Sequence, residues 1–173
     1  MKAVILCNTD SERASALLPI TERMPLCGFD IAGVTPLYRA VENAYSNGLS
    51  DIYVIGDYLS RRIEEYLLTD RFKNMKPKFC QYESNFAKKL NEIADGEDIL
   101  LLTADVYQAL PLDKLLAFYN KNRPSAAVLT AECERGFGAN VRAEGKKLTE
   151  IGGLAPCEKA EQVFCGAAIL SAE

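Results

Sequence analysis

The chain has 173 residues, 49% of them hydrophobic and 25% charged, the balance of an ordinary soluble globule long enough to bury its own core. A net charge of −4 without any basic stripe argues against nucleic acid and anionic membrane as partners. Apolar runs such as residues 99–102 are far too short to cross a bilayer, and the N-terminal run lacks the length and cleavage site of a signal peptide.

Residues 2–7 read as a buried strand, ended by a polar break over 8–13. An irregular stretch rich in Pro, Thr and Gly continues to Gly33; so long a loop after a first strand is more often functional than idle. Thr35-Pro36 opens a helix, Thr35 as cap and Pro36 at the first helical position, with Leu37, Ala40, Val41, Ala44 and Tyr45 on its inner face and Asn47-Gly48 closing it. A second strand covers 51–56, and Leu59, Ile63, Tyr66 and Leu67 mark a second helix. The cluster Arg71, Lys73, Lys76 and Lys78 is broken by apolar and neutral residues and reads as a solvated loop.

A weaker strand at 78–82 precedes a helix that Ser84 can cap, built on Phe86, Leu90 and Ile93. The strongest strand spans 98–103; Leu112, Leu115, Leu116 and Tyr119 form the next helix face, and 126–131 is another strand. Four alternations of strand and helix predict an α/β fold, a Rossmann-like mostly parallel sheet with helices on both faces. Beyond Ala131 the pattern changes to short strands near Val141, 148–151 and 163–170, a β-rich C-terminal extension. The whole of 1–173 reads as one domain. Leu37, Val41, Ile63, Leu67, Leu90, Leu115 and Leu116 are the expected core.

The six cysteines, Cys7, Cys27, Cys80, Cys133, Cys157 and Cys165, form no C-x-x-C pair, and there is no histidine, so a structural zinc site is not expected. Thiols in apolar runs fit a reducing, cytoplasmic location. In a doubly wound sheet, ligands bind beyond the carboxyl ends of the strands, here residues 8–13, Gly56-Asp57 and 103–107. Asp105, just past an apolar strand, suits Mg²⁺, which takes a few oxygen ligands plus substrate phosphate; capping the next turn is the plainer role for it. The first loop has no glycine between Asn8 and Arg13, unlike a phosphate cradle, and Arg13 reads either as a phosphate partner or as a surface residue.

Five segments together resemble the sugar-phosphate nucleotidyltransferases, the NDP-sugar pyrophosphorylases. They are residues 1–6 (MKAVIL), 18–25 (LPITERMP), 31–37 (IAGVTPL), 51–58 (DIYVIGDY) and 99–106 (ILLLTADV). The order and spacing run through essentially the whole chain. The resemblance implies joining of a nucleoside triphosphate to a sugar 1-phosphate, with nucleotide contacts at Cys7, Asn8 and Gln81, catalytic roles for Arg13 and Asp105, sugar contacts at Gly138 and Gly166, and Mg²⁺ at Asp105. The motifs are eroded. The family's G-G-x-G-T-R loop stands here as Asn8-Thr-Asp-Ser-Glu-Arg13, where Asp10 and Glu12 oppose triphosphate at a cost on the order of several kcal/mol in a shielded site. The family's P-K lysine falls at Leu26, its G-T-A motif on residues 84–87 (SNFA), and its sugar-contacting asparagine at Phe164. Its E-K-P motif falls at Gly153-Leu-Ala155 by spacing or at Glu158-Lys-Ala160 by composition.

The family continues past this length with a second metal-binding aspartate, so the chain is expected to be the N-terminal part of a longer protein or to lack that carboxylate. These features imply a domain with lost or weak catalysis and a regulatory or ligand-binding role, holding nucleotide or sugar phosphate and joined to further domains or a second copy of itself. The alternative is an active sugar-1-phosphate nucleotidyltransferase with divergent motifs. A glycosyltransferase of similar sheet is disfavoured by the absence of a D-x-D motif, since Val106 and Tyr107 follow Asp105.

Overall fold

A computed structural model describes residues 1–7, 15–81, 85–105, 109–132, 140–145, 147–151 and 162–172. Strands β1 (Lys2–Cys7), β2 (Ile52–Gly56), β3 (Lys78–Gln81) and β4 (Ile99–Thr103) lie parallel in the order β3-β2-β1-β4. The three continuous apolar runs are therefore neighbours, Val4 standing level with Tyr53 on one side and Leu101 on the other. Such runs are apolar throughout because both faces of the strand are covered.

The cover is unequal. Ala3, Ile5 and Cys7 project into a large cluster with side chains of α1 (Pro36–Ser46), α2 (Ser60–Leu67) and α4 (Leu112–Asn122). Val4, Ile55 and Ile99 project the other way, into a smaller cluster closed by Ile93 of α3 (Phe86–Ala94). Leu37, Val41, Ile63, Leu67 and Leu115 are buried as expected. Leu90 and Leu116 are only partly buried. Leu116 is displaced because α4 turns Leu112, Leu115 and Tyr119 inward instead, and Leu90 lies on the thinly covered face.

The second half departs from a simple parallel order. β5 (Ala126–Ala131) follows α4 and runs in the direction of β4, but the two are not paired. β8 (Gln162–Leu170) lies between them, antiparallel to both. β6 (Asn140–Glu144) and β7 (Lys147–Ile151) form an antiparallel pair that joins the first residues of β8, Asn140 level with Val163. The register slips between the pairs Val128–Ala168 and Thr130–Phe164, and Gly166 sits inside that slip at φ 85°. Only glycine takes this conformation without strain, so Gly166 lets β8 leave β4 and pair with β6. The sheet is thus mixed, a parallel α/β core with a β-rich C-terminal part, and no described helix is long and apolar enough to cross a membrane.

Local chemistry explains the element ends. The Thr35 hydroxyl accepts from the Tyr38 amide at 3.1 Å and meets the Tyr66 hydroxyl at 2.9 Å, while Pro36 occupies the first turn. Thr35→Ala is expected to cost about 1–3 kcal/mol in urea unfolding, because a buried cap and a tie between α1 and α2 go together. At α3, Asn85 caps by accepting from the Lys88 amide at 2.9 Å; the expected cap, Ser84, lies outside the described residues. Lys2 donates to the terminal carbonyls of α3, Ile93 at 3.0 Å and Ala94 at 3.3 Å, a favourable place for a cation. Two members of the basic cluster bind the chain itself: Arg71 donates to the Gly33 carbonyl at 3.0 Å, and Lys78 pairs with Asp51 at 2.7 Å.

Two carboxylates at the start of β4 make stability acid-sensitive. Hydrogen bonding from the N-terminal amino group at 2.8 Å, with its charge, holds Glu97 below the usual carboxylate range. Burial pushes Asp98 up, but the Ala172 amide at 3.1 Å, the Tyr119 hydroxyl, Arg123 and the N-terminal charge outweigh it and leave Asp98 lowered. A carboxylate lowered in the folded state adds stability above its unfolded pKa, about 4, and loses it as pH falls through the folded value. The urea midpoint is expected to fall from about pH 5 downward, and Asp98→Asn to flatten that fall while lowering the midpoint at neutral pH.

Candidate functional site

All four parallel strands end at one edge of the sheet. Cys7 closes β1, Gly56 closes β2, Gln81 closes β3 and stands level with Gly56, and Thr103 closes β4. The Ala104 amide donates to the Leu6 carbonyl at 2.8 Å, which extends the β1–β4 ladder one step and holds the half-buried Asp105 beside the end of β1. Gly166 belongs to the same edge, one residue before Ala167, the partner of Leu102. Cys7, Gln81, Asp105 and Gly166 thus lie along one edge, from β3 at one side to β8 at the other.

The chemistry at its centre is that of thiols. Cys7 and Cys27 are 2% and 1% exposed, and their thiols are hydrogen-bonded to each other. Burial pushes the Cys7 thiol well above its ordinary range, with the Cys27 contact and the nearby Asp105 carboxylate acting in the same direction. Cys7 therefore stays a neutral thiol, not a nucleophile. Cys27 arrives on a short 3-10 turn, Leu26–Gly28, in which Leu26 is also buried, at 6% exposure. The preceding 3-10 turn, Ile20–Glu22, is tied to the segment between β2 and α2, where the Tyr58 hydroxyl donates to the Thr21 carbonyl at 3.2 Å. Gly56 allows α2 to pack this closely: a Cβ there would stand 2.8 Å from Ile63 Cδ1.

As a donor set for Mg²⁺ this is poor. Asp105 brings one hard carboxylate, whereas its neighbour Cys7 is a soft thiol kept neutral by burial. Among the described residues no group of three His, Cys, Asp or Glu side chains could hold a metal ion. Among the described residues, magnesium at Asp105 finds no second carboxylate to complete such a group of three, and phosphate and water would supply further ligands.

No protein-family model matches the sequence, and no curated protein does. Solved structures do match the fold. A crystal structure described as a glucose-1-phosphate thymidylyltransferase from Bacillus anthracis, in complex with sucrose, superposes with a TM-score of 0.79 at 17% identity, over 99% of this chain and 72% of that one. A UDP-glucose pyrophosphorylase complexed with UDP-glucose gives 0.75 at 16% identity, over 98% of this chain and 75% of that chain. An apo UDP-glucose pyrophosphorylase gives 0.71 at 18% identity, over 99% and 77%. The chain has a sugar-phosphate nucleotidyltransferase-like fold.

Within a nucleotidyltransferase-like fold the expected site residues divide into two sets. Cys7, Gln81, Asp105 and Gly166 lie along the same strand-end edge, with Gln81 on β3 and Gly166 on β8 separated by β2, β1 and β4. Asn8, Arg13 and Gly138 lie outside the described residues, as do both candidates for the E-K-P motif and the acidic pair Asp10 and Glu12. Sequence reasoning gave Cys27 no role, yet it packs directly on Cys7. Its place one residue after Leu26, where the resemblance puts a lysine, was the available signal.

Proposed function

We propose that the chain is a nucleotidyltransferase-like domain that binds nucleotide or sugar phosphate at the carboxyl ends of β1 to β4, with turnover lost or nearly lost. It acts as a cytoplasmic ligand-binding or regulatory module, alongside further domains or a second copy of itself. The observation that carries this reading is Leu26. At the position where the resemblance expects a phosphate-binding lysine, the chain has a leucine 6% exposed, followed by a thiol sealed against Cys7. An anion meets no cation from this turn. Among the described residues the expected polar site residues at this edge are Gln81, a neutral amide suited to a base, and Asp105, a carboxylate, and neither neutralises a leaving pyrophosphate.

Calorimetric titration with ATP, GTP, UTP and dTTP, each with and without Mg²⁺, tests it. Saturable binding of at least one nucleotide is expected, with dissociation constants on the order of 0.01–1 mM and little dependence on Mg²⁺. No binding of any nucleotide, or of glucose 1-phosphate, would remove the ligand-binding role. The placement of Gln81, Asp105 and Gly166 along the same strand-end edge also fits an active transferase with divergent motifs, and multiple turnovers per second with any substrate pair would favour that second reading.

A further inference from the structure

We infer a second ligand site, for a small aromatic carboxylate, in a cavity between the Leu26–Gly28 turn, α1 and α2. The cavity holds about 290 Å³ and is lined by Met24, Pro25, Leu37, Ile63 and Tyr66, with the arginines Arg23 and Arg62 beside them. Its floor is apolar and rigid. Leu37 and Ile63 belong to the core, and the Tyr66 ring is fixed edge-on to Phe72, with centroids 5.2 Å apart at 85°.

The polar groups that could recognise a ligand are few. The Tyr66 hydroxyl is engaged by Thr35 at 2.9 Å, and the Cys27 thiol by Cys7. That leaves the two guanidiniums. Arg62 is 66% exposed and has only a long contact with Glu65, at 3.8 Å, while Arg23 is exposed and makes no ion pair among the described residues. An apolar slot with two available guanidiniums complements one apolar ring carrying one carboxylate, which a guanidinium grips by two parallel hydrogen bonds. The volume lies just under the range of about 300–1,000 Å³ typical of drug-sized ligands, so the body is a single ring. A nucleotide is too large and too polar for this slot. The cavity adjoins the edge where β1 to β4 end: Cys27, in its lining, contacts Cys7, and Ile63 stands against Gly56.

Methyl NMR on the whole chain tests the inference, with phenylacetate, phenylacetamide and inorganic phosphate as probes. Phenylacetate is expected to shift the Leu37 and Ile63 methyls saturably, with a dissociation constant on the order of 0.1–1 mM, and to leave Ile93 and Ile99 on the opposite face unmoved. Phenylacetamide is expected to bind at least about fivefold more weakly, and Arg23→Gln with Arg62→Gln to weaken phenylacetate about tenfold without changing the melting temperature. Phosphate alone should leave both methyls in place. The inference is overturned if phenylacetate causes no saturable shift, if the amide binds as well as the acid, if the double variant binds as well as the original, or if phosphate alone reproduces the shifts. None of these readouts depends on nucleotide binding, so the outcome is independent of the proposed function.

Discussion

Pyrophosphate release from ATP, GTP, UTP or dTTP, supplied with glucose, mannose or N-acetylglucosamine 1-phosphate, is expected to stay at background with this chain. In the chemistry implied by the resemblance, the sugar phosphate attacks the α-phosphorus and pyrophosphate departs with several negative charges. Catalysis then consists of positioned positive charge and amide dipoles. The lysine is replaced by Leu26, the first loop lacks its glycines, and Asp10 and Glu12 bring charge of the wrong sign. Loss of one preorganised contact costs about 10²–10³ in rate, and loss of two that act independently about 10⁴–10⁶. The thiols at the strand ends do not compensate, because Cys7 is held neutral by burial. The assay is pyrophosphate release over hours, and several turnovers per second with any pair would overturn the expectation. Leu26→Lys with glycines restored in the first loop is expected to tighten nucleotide binding before any rate appears, since binding gains from each restored positive group whereas turnover needs the preorganised contacts together. Because Leu26 is buried, the variant's melting temperature must be measured alongside.

The parallel half of the fold was legible in the sequence for a simple reason. Strands buried on both faces are continuous apolar runs, and 2–7, 52–56 and 99–103 are such runs, so they could only be interior. Thr35-Pro36 and Asn47-Gly48 marked α1 because caps depend on local hydrogen bonding alone. The insertion of β8 between β4 and β5 was not legible. Strand pairing is long-range, and nothing in residues 126–131 says which strand will lie beside them. The resemblance implies a sugar contact at Gly166, whereas its positive φ, which bends β8, emerges only with the register. At the site, Asp105 could be placed by its position after an apolar strand. The pairing of Cys7 with Cys27 could not, because the intervening chain has no periodicity from which to predict where it returns.

Tyr119→Ala is expected to bring the chain close to unfolding, at a cost of about 3–5 kcal/mol. The sequence identifies Tyr119 only as one of four apolar positions on a helix; its surroundings make it the more severe truncation. It is 1% exposed and fills the core beneath β4 and β8. Its hydroxyl donates to the Asp98 carboxylate at the start of β4 and accepts from Ser171 just past the end of β8. One side chain therefore links α4, the parallel core and the antiparallel strand wedged beside it. Truncation leaves a ring-sized cavity and strips a lowered, half-buried carboxylate of one of its donors. Marginal stabilities of about 5–15 kcal/mol leave little reserve against such a loss. Tyr119→Phe separates the two contributions: it keeps the packing and gives up the hydroxyl, at an expected cost of about 1–2 kcal/mol. Urea unfolding of the three proteins at neutral pH is the measurement. Equal costs for Phe and Ala would mean that the hydroxyl network, not packing, holds β8 to β4. A negligible cost for Ala would mean that α4 does not bridge the two halves of the sheet at all.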